Sequence, residues 1–284
     1  MTRELTFAVL PEESGETAER FLKKRGFSRK LITSLKASGG ITRGGAVLRS
    51  VDILAAGDVV SIRIEDKGAI VPNPNIQAAI AFENEDLVIF DKPPGLAVHP
   101  SIVHYADTLG NLYAALYPES AFRPIHRLDK DTSGLCACAK NKLAAAVLSG
   151  GIQKTYFAVV SGEIAEAGEI NLPIGRADGS IIKREVRPDG QSAVTLYEPV
   201  RSANGRTLLR ITLKTGRTHQ IRVHFSHIGF PLCGDDLYGG DRREISRQAL
   251  HCGEMRLKLP NSGERIAVKS PLPEDIAKLL ETEF

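Results

Sequence analysis

From Ile80 onward the chain is a series of short apolar runs cut by turn residues: IAFENEDLVIF, GLCACA, YFAVV, TLLRITLK and the stretch around HCGEMRLKLP. The runs have strand length and lack a helical repeat, so this region reads as a sheet and not as a helical bundle. Asn84, Glu85 and Asp86 supply a turn between two runs, and Pro93, Pro94 and Gly95 end the second of them. One stretch departs from the pattern: NKLAAAVLSGG reads as a short helix with Asn141 as its cap and Gly150 near its end. The expected fold class is α+β, with a mixed, mainly antiparallel sheet.

At 284 residues the chain exceeds an ordinary domain of roughly 100 to 200 residues, which leaves room for a small accessory domain. Its first third has the composition of one. Arg20, Lys23, Lys24, Arg25, Arg29, Lys30, Lys36, Arg43 and Arg49 follow one another without a single Asp or Glu between them. Ala18, Phe21 and Leu22, then Leu31, Ile32 and Leu35, recur at helical spacing, so two amphipathic helices can bury them and turn the bases outward. Gly26 separates the helices, and Ser28 is a possible cap for the second. Further on, glycines punctuate short extended pieces, and VVSIRI alternates Val60, Ile62 and Ile64 with polar residues as a half-buried strand does. A basic helix face is ordinarily only a solvated face. A merely soluble surface mixes both signs, however, so an acid-free window favours phosphate binding. The order helix, helix, Gly-rich turn, strand, with the phrase AGDVVSI, resembles the small RNA-binding domain first known from ribosomal protein S-four. The resemblance spans about Thr17 to Ile64 and implies that Arg20, Lys23, Lys24, Arg29 and Lys30 meet RNA phosphates. The run KGAIVPNPNIQ that follows reads as a linker. The organisation expected is an RNA-binding domain over residues 1–66, a linker over 67–78 and a catalytic domain over 79–284.

Within the sheet region, HRLDKDTSGL places charge at the mouth of the apolar strand GLCACA. An ordinary polar turn, with Asp, Thr and Ser satisfying backbone donors, is the plain explanation. A second dense cluster, TGRTHQIRVHFSHIGFPLCGDDLYG, argues for more. Ile221, Phe225 and Ile228 fall at i, i+4 and i+7 and would pack a helix on the sheet, leaving Arg222 on another stripe from which it can reach inward. A buried Arg requires a carboxylate.

At these two segments the sequence closely resembles the RluA family of pseudouridine synthases. HRLDKDTSGL fits the signature around that family's catalytic aspartate, and GRTHQIRVHFSHIGFPLCGD fits its second block. DLVIFDKPPGLAVHP is similar to the strand and loop before the signature, and ALHCGEMRLKLPNSGERIAVKSPLPED to the closing segment. The resemblance implies an isomerase that converts uridines of folded RNA to their carbon-linked isomer. It implies Asp129 as the central catalytic group, either attacking the anomeric carbon or taking the neighbouring sugar proton, and it leaves that choice open. It implies that Arg222 pairs with Asp129, and that Tyr156, in the run Lys154, Thr155, Tyr156, lies against the uracil and helps to remove the last proton. Arg127 resembles the wedge that fills the space of an extruded base, and His126 is taken as a substrate-side residue that orients the loop. Asp131, the rival carboxylate, falls in the supporting turn. Departures lie at Cys136, Cys138 and Cys233, where bulkier aliphatic residues are usual, and at Phe230, in a commonly polar position; they bear on the target and not on the reaction.

No cofactor or metal is expected. Cys136 and Cys138 leave one residue between them where zinc pairs ordinarily leave about two to four, and His219, His224 and His227 lack a companion Cys or carboxylate cluster. Four cysteines in a chain of this size make no disulfide framework. The opening MTRELTFAVLPEESGE is not a secretory signal and no window is apolar enough for a bilayer, so a cytoplasmic protein is expected. Without a heptad seam or a long apolar edge, a monomer is expected too. The net charge of +3 is too small to name a partner; its concentration in the first domain favours structured ribosomal RNA over a small tRNA loop. The rival reading is a non-catalytic RNA-binding or ribosome-assembly protein with a vestigial synthase domain.

Overall fold

A computed structural model describes residues 2–25, 27, 29–65, 70–101, 103–260 and 262–281. Gly26, Ser28 and the start of the proposed linker, residues 67–69, lie outside the described residues. The chain divides into two compact units, Met1–Ala69 and Ile70–Phe284.

The first unit comprises β1 (Thr2–Ala8), α1 (Ala18–Lys24), α2 (Arg29–Ala37), β2 (Ile41–Arg43), β3 (Ala46–Val47) and β4 (Val59–Glu65), with strand order β1-β4-β2-β3. Thr17 caps α1 by accepting the Arg20 N–H at 3.3 Å. Phe21, Leu22, Ile32, Leu35, Val60 and Ile62 lie in its core, in line with the helical and strand spacings; the Leu31 and Ile64 side chains lie outside the described residues. β1 is an addition to the expected elements; it pairs antiparallel with β4 and packs Leu5 and Phe7 against the same core.

The second unit runs β5 (Ala79–Glu83), β6 (Leu87–Lys92), α3 (Leu109–Leu116), β7 (Arg123–Pro124), β8 (Ser133–Ala139), α4 (Lys142–Leu148), β9 (Gln153–Ser161), β10 (Gly168–Asn171), β11 (Ile174–Arg176), β12 (Arg184–Val186), β13 (Val194–Ala203), β14 (Arg206–Leu213), α5 (Gln220–His227), β15 (Leu250–Lys258), β16 (Arg265–Lys269) and α6 (Glu274–Ala277). A 10-stranded sheet has the order β10-β13-β14-β9-β15-β8-β6-β5, with β16 on β15 and β7 on β8. It is mainly antiparallel, but β15 meets β8 in parallel while pairing antiparallel with β9. The α+β class with a mixed sheet is as expected. Asn141 caps α4 by accepting the Ala144 N–H at 2.8 Å. Residues 71–78 are less linker-like than their composition: Asn73 N–H donates to the Asn111 carbonyl, the Asn111 side chain donates to the Val71 carbonyl, and Ile76 and Ala78 pack on the sheet core. The Asn73 side chain also donates to the Ala106 carbonyl at 2.8 Å. No helix among the described residues is long and apolar enough to cross a membrane.

Two features fix where the charged loop emerges. The central strand β8 is buried along its whole length. At its start Gly134 has φ 107, and a Cβ there would lie 2.3 Å from the Cys252 carbonyl oxygen of β15, so only glycine allows the loop to enter the sheet at this point.

Candidate active site

The segment from His126 to Thr132 carries its charges because its backbone is fastened from below. Lys92, at the end of β6 and 0% exposed, donates from Nζ to the carbonyls of Pro93, Leu96 and Lys130, each at 2.9 Å. Arg247 Nη1 reaches the Asp131 carbonyl at 3.3 Å, Gln248 Nε2 donates to Thr132 Oγ1 at 3.2 Å, and Ser133 Oγ bonds His251 Nδ1 at 3.0 Å. With its neighbours held, Asp129 is left partly exposed.

Burying the Lys92 ammonium lowers its pKa to about 8, against the raising pull of Cys136, Asp131 and Asp129. An unfolded lysine keeps the ordinary value of 10.5, so between about 8 and 10.5 the unfolded chain binds more protons than the folded one. Stability gains a component that rises with pH across that window. Urea unfolding at pH 8 and pH 10 is expected to show a steeper rise for the wild type than for Lys92→Met; parallel behaviour would contradict the buried ammonium.

α5 delivers the cation. Ile221 and Phe225 pack into the sheet core, which turns Arg222 toward the loop. Its guanidinium is shared. Nε donates to Asp235 Oδ2 at 2.6 Å and Nη2 to Asp235 Oδ1 at 2.8 Å, while Nη1 reaches Asp129 Oδ2 at 3.2 Å. Asp235 has a side-chain exposure of 0%, Arg222 8% and Asp129 27%. The expected pairing of Arg222 with Asp129 is therefore the lesser half of the arrangement. The two-toothed fork belongs to the fully buried acid, and the remaining nitrogen is aimed at the one that meets the pocket. Burial works against the Arg222 charge, but the bonds and charge of Asp235, joined by those of Asp129, outweigh it and push its pKa up. The ring of Tyr238 lies against the guanidinium, with Cζ 5.0 Å from its centroid.

Arg127, Asp129, Tyr156, Arg217, His219 and Arg222 line one pocket. The structure thus brings together the Asp, Tyr and Arg singled out in the sequence. Tyr156 stands on β9 and is buried. Burial, with Cys252 and Asp129 adding to it, raises its pKa well above the ordinary phenol value, so the hydroxyl keeps its proton near neutrality. Tyr156 offers the pocket a ring and a neutral phenol; the expected proton removal would need the form that this environment disfavours. Arg127 is exposed at the pocket's edge, with one bond from Nη2 to Thr218 Oγ1 at 3.1 Å.

His126 differs from expectation. It is absent from the pocket lining, and its Nε2 accepts the Ala137 N–H of β8 at 3.3 Å. Burial, aided by Lys154, lowers its pKa to about 3, which keeps the ring neutral and able to accept that bond. It holds the loop to the strand and does not face the substrate side.

The sequence reading missed Lys92, His219, Asp235 and Tyr238. A signal existed for Asp235: a buried Arg222 demands a carboxylate, and GDD follows its helix. In sequence Asp129 alone meets that demand, so the acids of GDD do not stand out. Among the described residues no group of three or more His, Cys, Asp or Glu could hold a metal ion.

The first unit presents its cations differently from the sequence pattern. Acids from just outside the acid-free window fold back onto it: Glu16 meets Arg20 and Lys24, Glu19 meets Lys23 at 2.7 Å, Glu13 meets Arg25 at 2.8 Å, Asp58 meets Arg43 at 2.9 Å and Asp52 meets Arg49 at 3.0 Å. Arg20, Lys23 and Lys24 remain 71%, 49% and 48% exposed despite these partners. Arg29 is exposed as well, and the Lys30 side chain lies outside the described residues.

Comparison with known proteins places this geometry. Residues 86–227 match the family model for RNA pseudouridylate synthase. The ribosomal large subunit pseudouridine synthase D of Pseudomonas aeruginosa is 39% identical, the match covering 89% of this chain and 87% of that protein. An uncharacterized RNA pseudouridine synthase of Bacillus subtilis is 36% identical over 94% of this chain and 99% of its own length. Among solved structures, human RNA pseudouridylate synthase domain containing 1 aligns with a TM-score of 0.57 at 25% identity, covering 71% of this chain and 86% of that one.

Proposed function

The chain belongs to the RluA family of RNA pseudouridine synthases, and on that premise we propose that it isomerises a uridine of large-subunit ribosomal RNA with Asp129 as the group that acts on the sugar. The reaction breaks the bond from the ribose anomeric carbon to uracil nitrogen, turns the base, joins the same carbon to ring carbon five and releases the proton held there, while the freed nitrogen takes one up so that the product is an isomer. Water has to be kept out while the base is detached.

The observation that carries the reading is the shared guanidinium: Arg222, held by buried Asp235, extends one nitrogen to Asp129 in a pocket walled by Tyr156. The fixed guanidinium orients the carboxylate that would either attack the anomeric carbon or take a sugar proton. Tyr156 supplies a flat face on which the detached uracil can turn. A target base has to leave its stack to reach such a pocket. Arg127, bonded to Thr218 Oγ1 at the edge, is the residue to swing into the vacated place.

The first unit acts as an S-four-like clamp on RNA through Arg20, Lys23, Lys24, Arg29 and Lys30. Exposed ion pairs of the kind Arg20, Lys23 and Lys24 make are worth about 0–1 kcal/mol, so phosphates can replace their carboxylate partners at little cost. The large-subunit substrate is supported by the name of the Pseudomonas relative, and a ribosomal RNA target is in keeping with a cytoplasmic protein. Asp129, Tyr156 and Arg222 all come from one chain, in keeping with a monomer.

Mapping pseudouridine in RNA from cells lacking the protein tests the substrate. One or a few large-subunit positions are expected to revert to uridine and to be restored by the wild-type gene but not by Asp129→Asn. Loss confined to a tRNA position would refute the ribosomal assignment, and full restoration by Asp129→Asn would favour a non-catalytic RNA-binding role.

A further inference from the structure

His219 adopts the left-handed backbone conformation, φ 58 and ψ 19, immediately before α5. Among the described residues other than glycine, only Asn204 also has a positive φ, and Asn204 sits in an Asn-Gly hairpin turn that calls for it. His219 is the third residue of a turn closed by the Gln220 N–H on the Arg217 carbonyl at 3.1 Å, a place that Gly or Asn usually fills, and a residue with a larger side chain enters this region at a cost. The imidazole it positions lies between two site groups. Nδ1 is 2.8 Å from the Tyr238 hydroxyl, and Nε2 is 3.7 Å from Asp129 Oδ2.

Counting protons along this line gives it a direction. The backbone N–H of Arg184, on β12, donates to the Tyr238 oxygen at 2.9 Å and so occupies one of its lone pairs. The single hydroxyl proton of Tyr238 remains available for Nδ1. If Tyr238 donates, the proton of a neutral imidazole is on Nε2 and points at the carboxylate. The opposite arrangement would aim the Nε2 lone pair at Asp129 and be repelled. Burial favours the neutral ring, although Asp129 pulls the other way. The charged or titratable groups around His219 are Asp129, Arg222, Asp235, Arg184 and Tyr238.

We propose that His219 is a positioning residue for the reaction, its Nε2–H acting as the second donor to Asp129 after Arg222. The inference deepens the proposed function and rests on Asp129 being the group that acts. Both donors address the same oxygen, Oδ2. They hold the carboxylate by one edge and leave Oδ1 for the ribose. The 3.7 Å separation exceeds a hydrogen bond, and such contacts commonly shorten only when substrate fills the site. Tyr238 serves twice, orienting the His219 ring and lying against the Arg222 guanidinium.

Tritium release from RNA labelled at uracil carbon five, followed across pH with the full chain, tests this. His219→Gly accepts the positive φ without strain, which separates loss of the imidazole from loss of the fold; His219→Asn tolerates the same backbone and retains a donor amide. His219→Gly and Tyr238→Phe are expected to lower kcat by about 10- to 100-fold with little change in KM. His219→Asn should recover part of the rate, and Tyr238→Phe added to His219→Gly should cost nothing further. An unchanged kcat in His219→Gly would overturn the inference, as would additive losses in the double variant or a lowered kcat that follows a lowered melting temperature and is not recovered by His219→Asn. Asp129→Asn is assayed alongside. If it is inactive while His219→Gly matches the wild type, the inference fails and the reading of Asp129 stands; if it is fully active, the reading of Asp129 itself fails.

Discussion

Asp129→Asn is expected to reduce tritium release by on the order of 10⁴-fold or more while leaving the melting temperature within about 2 °C of the wild type. The two halves of this result have separate causes. Asn has the shape of Asp, and its carbonyl can still accept the Arg222 Nη1–H. The Arg222 charge is already balanced by the fork to Asp235 at 2.6 and 2.8 Å, so the substitution strands no buried cation. What disappears is the negative oxygen that has to engage the sugar. Retention of more than about a tenth of the wild-type rate would mean that another residue performs this step.

Arg222→Met should produce the opposite balance of effects. It removes the cation from a carboxylate with 0% side-chain exposure, and an acid left buried without its partner costs about 3–5 kcal/mol. For a unit of this size the loss corresponds to roughly 10 °C in melting temperature, and urea unfolding should register it directly. Activity should vanish as well, since Asp129 loses its donor. The double variant Arg222→Met, Asp235→Leu separates the two losses. Removing both charges and filling the space with apolar atoms is expected to recover most of the stability and none of the activity. A single variant with an unchanged urea midpoint would show that the pair contributes little to the fold.

What could be read from the chain depended on whether one segment carried its own pattern. β6, β8, β9 and β15 lie inside the sheet, and their buried runs stand out as apolar blocks. β13 does not, because along Val194–Ala203 only Leu196's neighbour Thr195 is buried outright and the strand keeps much of its length exposed. α3 did carry a usable signal, with Leu109, Leu112 and Tyr113 buried at helical spacing behind Thr108. In the first unit, the acid-free window is a fact about sequence neighbours only; Glu13, Glu16, Glu19, Asp52 and Asp58 stand just outside it and fold back onto it. The site divided the same way. Asp129, Tyr156 and Arg222 sit in dense local motifs. Asp235 and Asp236 are adjacent acids of which one is sealed inside and the other exposed, a distinction made by the packing of α5 and not by composition.

The place of β15 in the sheet bears on when the enzyme can first work. The Asp129 loop enters the β8 half and Tyr156 belongs to the β9 half, and β15 is the strip between them. Asp129, Tyr156 and Arg222 all precede β15 in the chain, yet the sheet pairing that sets the two halves side by side runs through it, parallel to β8 and antiparallel to β9. Ser133 and His251, 118 residues apart in sequence, meet along that seam. The strand that registers the acid's half against the tyrosine's half is therefore one that carries none of the three, and it has to be made after all of them.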